Sequence, residues 1–287
     1  MSSLQSVHRP QVGRITADHP LLIRIGRAGW LAKGVVYTVA GVLGLLIAAR
    51  ASGWSRAKSA PNGEASPSGA LKTVANVTGG SLLLVVLAAG MLLYAAWRVV
   101  SAMMPGGTDV EAMVKRIGYA ISAVIYTTLA LTAIALARSA TGSSNGNTKV
   151  ESISGRVMSH TGGRLLIGAV GVIVLAAGLY RVGKGVKQDV NDELDLGGLS
   201  RQRLAWTERL GVIGEVGRGI GIGLIGFFLL RAAVTYDPQQ ATGLDGALRL
   251  LAVASWGRVV VVVVGAGFVA YGLFCSTTFT HRRLQAP

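Results

Sequence analysis

Residues 117–137 read IGYAISAVIYTTLALTAIALA, 21 residues without Asp, Glu, Lys or Arg, held between Lys115, Arg116 and Arg138. A helix rises about 1.5 Å per residue, so this run is long enough to cross the ~30 Å hydrocarbon core of a bilayer. Water is absent there, and a helix satisfies its backbone polar groups internally. Five further runs have the same character, at 29–49, 81–100, 165–182, 212–230 and 259–279. The last is as clear as the third, with 23 such charge-free residues after Arg258. The fifth is the weakest, because only 219–230 is charge-free and the helix needs Glu215 and Arg218 in its first turns.

Composition agrees with a membrane protein. Of 287 residues, 51% are hydrophobic, 14% are charged and 40 are Gly, and the mean hydropathy is +0.52. Average soluble domains carry about a quarter charged residues and about 7% Gly. A single cysteine excludes an internal disulfide framework and a Cys-based zinc site. The net charge of +15 points to anionic lipid headgroups rather than nucleic acid, because the cations flank apolar runs. The first run follows a polar stretch too long for a signal peptide and is expected to be a retained helix. Lys and Arg number 16 on the side of the termini and of the second and fourth loops, and 11 on the other, with Arg218 inside a span. That bias predicts a multi-pass protein of the plasma (inner) membrane with both termini cytoplasmic. The loops at 50–70 and 139–150 read as flexible linkers.

The odd-numbered runs align with one another without gaps. Gly29, Lys33 and Tyr37 match Gly118, Ser122 and Tyr126, and both sets match Gly214, Arg218 and Ile222. The even-numbered runs align too, since Tyr94 and Arg98 match Ala177 and Arg181, then Tyr271 and Cys275. Each of these blocks lies the same distance beyond Gly80, Gly163 or Gly257. The chain is therefore expected to be all-α, a bundle of six transmembrane helices in three parallel two-helix repeats with pseudo-threefold symmetry. The units are 1–23 as a cytoplasmic tail, 24–107, 113–190 and 207–283 as repeats, 191–206 as a linker and 284–287 as a tail. Ala40 and Gly44, with Gly217, Gly219, Gly221 and Gly223, are the expected helix-packing positions, because small residues let helices approach where lipid supplies no hydrophobic drive.

At these blocks the sequence resembles the DUF1206 membrane proteins, a family found widely in actinobacteria. Members look like three tandem two-helix units, each opening on an R-x-G-x-x-x-[KR]-G-x-x-Y-like block and carrying a G-A-L element in its second half. The third copy here is closest, with Gly246, Ala247, Leu248 and Arg249, and Gly69, Ala70, Leu71 and Lys72 stand in register in the first. The middle copy departs most, lacking both the basic residue at Ser122 and the G-A-L element. The resemblance implies fold and membrane location, and it carries over no catalytic residue.

Chemistry is sparse along the chain. Lys33, Ser122 and Arg218 share one level and are the candidate contact for a lipid headgroup or another anion; the bland alternative is that the two cations snorkel to the interface. Glu215, three residues before Arg218, is expected to form a structural ion pair with it. Arg98 and Arg181 read as interface anchors beside Trp97 and Tyr180. No residue is a candidate for catalysis, cofactor binding or metal ligation. The expected function is a non-enzymatic accessory or scaffold that binds lipid or another membrane protein through glycine-rich helix faces. The competing expectation is a small-solute or anion permease along the pseudo-threefold axis.

Overall fold

A computed structural model describes residues 20–53, 64–103, 110–138, 146–160, 162–187 and 201–278. Residues 191–200 of the expected linker, and 1–19 and 284–287 of the expected tails, lie outside the described residues, while 20–23 of the expected tail begin the first helix. Among the described residues all regular structure is helical. Six helices are long and apolar enough to cross a membrane. They are α1 (Pro20–Ala51), α3 (Gly80–Met103), α4 (Val110–Arg138), α6 (Gly163–Val186), α7 (Arg201–Thr235) and α9 (Ser255–Thr278). Three short helices join the members of each pair: α2 (Pro67–Ala75), α5 (Gly146–Met158) and α8 (Leu244–Val253).

These short helices correct the expectation of plain linkers at 50–70 and 139–150, whose ends at 67–70 and 146–150 are helical. The linker 191–206 is corrected as well, because α7 begins at Arg201. In both cases polar composition hid a helix that charge and hydropathy alone cannot signal. Ser66 caps α2, its Oγ accepting from the Gly69 N–H at 3.1 Å, which satisfies one of the orphan donors at a helix start.

The three repeats share an elbow. A methyl group on Gly80 would collide with the carbonyl oxygen of Val74, one on Gly163 with that of Val157, and one on Gly257 with that of Leu251. In every copy the blocked carbonyl lies six residues upstream, on the short helix that ends there. Only hydrogen at that position lets the long helix start directly against the end of the short one. This is the physical reason for the glycine that recurs in the sequence.

The most extensive helix pairings join neighbouring repeats: α3 with α4, α6 with α7, and α9 with α1. The seam residues are equivalent in all three. Gly34 approaches Gly272, and Gly41 approaches Gly265. Gly219 approaches Gly178, and Gly226 approaches Gly171. The matching residues of α3 and α4 are Ala88, Ala95, Ala123 and Ala130, all buried. Of the packing residues expected from sequence, Ala40 is buried and Gly44 stands over Gly265. Gly217 meets Gly267, Gly219 and Gly223 meet Gly178, and Gly221 lies under Phe268.

Within a repeat the pairing differs. Helices α1 and α3 pack together, as do α7 and α9. Gly29 lies against Tyr94 in the first pair, and Gly214 against Tyr271 in the second. Their counterpart Gly118 has nothing within 4 Å of where a side chain would start, and no comparable seam joins α4 to α6. Among the described residues the pairings order the spans as a row α4–α3–α1–α9–α7–α6, with the two helices of the middle repeat at its ends.

Candidate functional site

The repeat places Lys33 on α1 and Arg218 on α7 at one level, toward the end of the bundle where α1, α4 and α7 begin. Both side chains are buried. They point into the bundle rather than snorkelling out of it, because aromatic rings receive them. The Lys33 Nζ lies 4.5 Å from the centre of the Trp30 ring, 5.0 Å from Tyr271, 5.1 Å from Tyr94 and 5.6 Å from Tyr126. It donates to the Tyr94 hydroxyl at 3.3 Å. The Arg218 guanidinium lies 4.0 Å from the Tyr271 ring and 5.1 Å from Tyr37. Tyr271 thus stands beside both cations. Such rings attract cations through their quadrupoles, and the effect grows when water is excluded.

The rings also brace one another. Tyr94 and Tyr126 stand edge to face at 4.5 Å, Tyr37 and Tyr271 at 5.0 Å, and Tyr37 and Phe268 at 5.3 Å. Trp30 is fixed by a hydrogen bond from its Nε1 to the Thr278 hydroxyl at 3.1 Å. Five of the six spanning helices contribute to this cluster, and α6 adds the next shell through an ion pair.

Glu215 is the carboxylate that these contacts place among the cations. Its Oε1 accepts from Arg218 Nη1 at 2.8 Å and its Oε2 from Arg181 Nη1 at 3.0 Å. Arg181 was read from sequence as an interface anchor; here it ties α6 to α7. Arg98 donates through Nε and Nη2 to the Tyr94 hydroxyl at 2.9 and 2.6 Å and lies 4.8 Å from the Tyr119 ring. Arg181 and Arg218 therefore share one Glu, a formal surplus of one positive charge, and Lys33 is buried at the level of Arg218. Arg218 Nε is buried without a hydrogen-bond partner among the described residues. Most buried polar groups have one, so this donor could serve a further acceptor.

Ser122 stands apart from this group. It is half-buried, and its hydroxyl turns back to the Gly118 carbonyl at 2.8 Å. The structure brings together two of the three residues at this level and leaves the third on α4, outside the cluster. The sequence reading did not find Trp30, Tyr94 or Tyr271 as part of the site. The signal was available, since Trp30 lies three residues before Lys33, on the same helical face, and Tyr94 and Tyr271 are repeat equivalents.

Comparison with known proteins agrees with this architecture. The Domain of Unknown Function (DUF1206) profile matches three times, at residues 28–104, 117–188 and 213–277. The uncharacterized protein YxxB of Bacillus subtilis (strain 168) is 32% identical over 258 residues, covering 89% of each chain. No solved structure matches. Three profile matches that coincide with the three helical pairs, and a relative alike over nearly its whole length, place this chain in the DUF1206 family.

Proposed function

We propose that the protein is a non-enzymatic accessory protein of the plasma membrane, with both termini cytoplasmic, that holds an anionic lipid by its headgroup at the level of Lys33 and Arg218. The observation that carries this reading is the charge surplus around Glu215, with the unpartnered Arg218 Nε at its centre. A phosphate offers several acceptor oxygens and negative charge to a guanidinium that already uses one edge for a carboxylate. The bias of Lys and Arg toward the terminal side supports an orientation in which the cluster faces the cytoplasmic leaflet. The competing permease reading has less support, because aromatic rings 4.5–5.3 Å apart occupy the interior at this level.

The test is lipid retention, read by native mass spectrometry of protein released from nanodiscs containing phosphatidylglycerol and phosphatidylethanolamine. The unaltered chain is expected to keep phosphatidylglycerol preferentially, and Lys33→Gln with Arg218→Gln to lose that preference. An unchanged preference in a folded double variant would overturn the reading.

A further inference from the structure

The short helix and elbow of the third repeat differ from their two counterparts on the outer face. Counted back from the elbow glycines Gly80, Gly163 and Gly257, three positions are equivalent in all copies. They hold Thr73, Asn76 and Gly79 in the first repeat, and Arg156, Ser159 and Gly162 in the second. In the third they hold Leu250, Val253 and Trp256, which are 58%, 82% and 69% exposed. Near the first two elbows, outside the spans, Val77 and Ile153 are exposed singly among polar neighbours, as scattered surface apolar residues commonly are. A run of three large apolar residues at positions otherwise polar or glycine is a different feature.

The opposite face of α8 is held down. Leu244, Ala247, Leu248 and Ala252 are buried, and the helix packs on α1, α7 and α9. Asp245, buried on the same side, accepts from the Ala65 N–H at 2.7 Å and from Arg249 Nε at 2.8 Å. These contacts fix the roll of α8, so that Leu250 and Val253, three residues apart on one helix face, turn outward. The exposed line then continues beyond the elbow. Trp256, Val259 and Val263 share one face of α9, with Val259 64% and Val263 40% exposed, and α9 is long and apolar enough to span the membrane. Lipid covers that face of a span, and the same apolar surface runs through Trp256 onto Val253 and Leu250 at three-residue steps. Tryptophan suits the boundary between hydrocarbon and headgroups, having an apolar body and one polar N–H. Continuity with a lipid-facing surface favours lipid over a protein as the occupant.

We propose that α8 is an interfacial helix, lying in the headgroup and upper acyl region of the leaflet remote from the Lys33 level. Leu250, Val253 and Trp256 are its lipid contacts, while the equivalent faces of α2 and α5 meet water. The proposal is independent of the headgroup reading, which concerns the opposite end of the bundle.

The experiment places one nitroxide label on the full chain through Leu250→Cys, Val253→Cys, Asn76→Cys or Ser159→Cys, in liposomes of phosphatidylglycerol and phosphatidylethanolamine. All four side chains are exposed, so the label displaces no packed group. Cys275 is buried, and the unaltered chain gives its background. Electron paramagnetic resonance compares collisions with oxygen, which concentrates in the bilayer, and with a neutral nickel chelate, which stays in water. The ratio of oxygen to nickel collisions is expected to be several-fold higher at Leu250 and Val253 than at Asn76 and Ser159. Val263→Cys, on the lipid-facing side of α9, supplies the bilayer value. Equal ratios at the four sites would overturn the proposal. Shielding of Leu250 and Val253 from both reagents would overturn it as well, because a protein partner or a second copy would then cover them.

Discussion

Arg218 is held by two different forces at once. It faces the Tyr271 ring and pairs with Glu215, while its Nε has no hydrogen-bond partner among the described residues. Breaking a buried pair from one side leaves an uncompensated charge and costs about 3–5 kcal/mol. Arg218→Ala is therefore expected to destabilise the protein by that order, measured by denaturant unfolding in mixed micelles. Pairing it with Glu215→Gln should recover part of the loss, since the partner then carries no charge to strand. The ion pair itself was legible from the three-residue spacing of Glu215 and Arg218. The inward turn of Lys33 was not, because helix-end lysines commonly reach the interface. It depends on Trp30 of its own helix and on three rings delivered by three other helices, and only the assembled bundle shows them meeting.

At the scale of elements, glycine plays two separable parts. Gly80, Gly163 and Gly257 fit a long helix against the end of a short one, where any side chain meets a carbonyl. Gly34, Gly41, Gly265 and Gly272 let two spans run nearly in backbone contact. Gly257→Ala is expected to cost about 1–3 kcal/mol through forced displacement. Gly118→Ala, with open space around it, should stay within about 0.5 kcal/mol. Thermal unfolding of the two variants side by side checks the pair, and equal effects would contradict the elbow. The sequence marked the repeated glycines by their spacing but gave no reason for them. It also left the short helices α2, α5 and α8 unread, since each is too short and too mixed in composition to stand out beside the spans.

On the scale of the whole molecule, the six spans and their grouping into three pairs were readable from hydropathy and internal alignment, and the family profile falls on the same three pairs. What alignment did not reveal is which helices touch. Identical registers are compatible with pairs that pack inwardly or with pairs that pack onto their neighbours. Here the larger seams lie between repeats, and the middle pair is not closed at all. The loss of the basic residue at Ser122 and the alanine at Ala177 coincide with that opening, so the departures seen in the middle copy mark a structural difference rather than random drift.

Seams between repeats that outweigh contacts within them mean that covalent continuity contributes little to holding the spans together. A hairpin of this kind matches the next one better than itself, as a subunit matches its neighbour in a ring. The connection through 191–200 should then be dispensable. Two separately expressed polypeptides, 1–190 and 201–287, are expected to find each other in the membrane through Gly171, Gly178, Gly219 and Gly226 and to co-purify as one complex. Enlarging Gly226 to Leu should weaken that co-purification, because its Cβ position already lies 2.4 Å from the Leu175 backbone nitrogen, while the seam of α1 with α9 still joins the two parts. A single gene product of this design is, in its physics, an assembly of three.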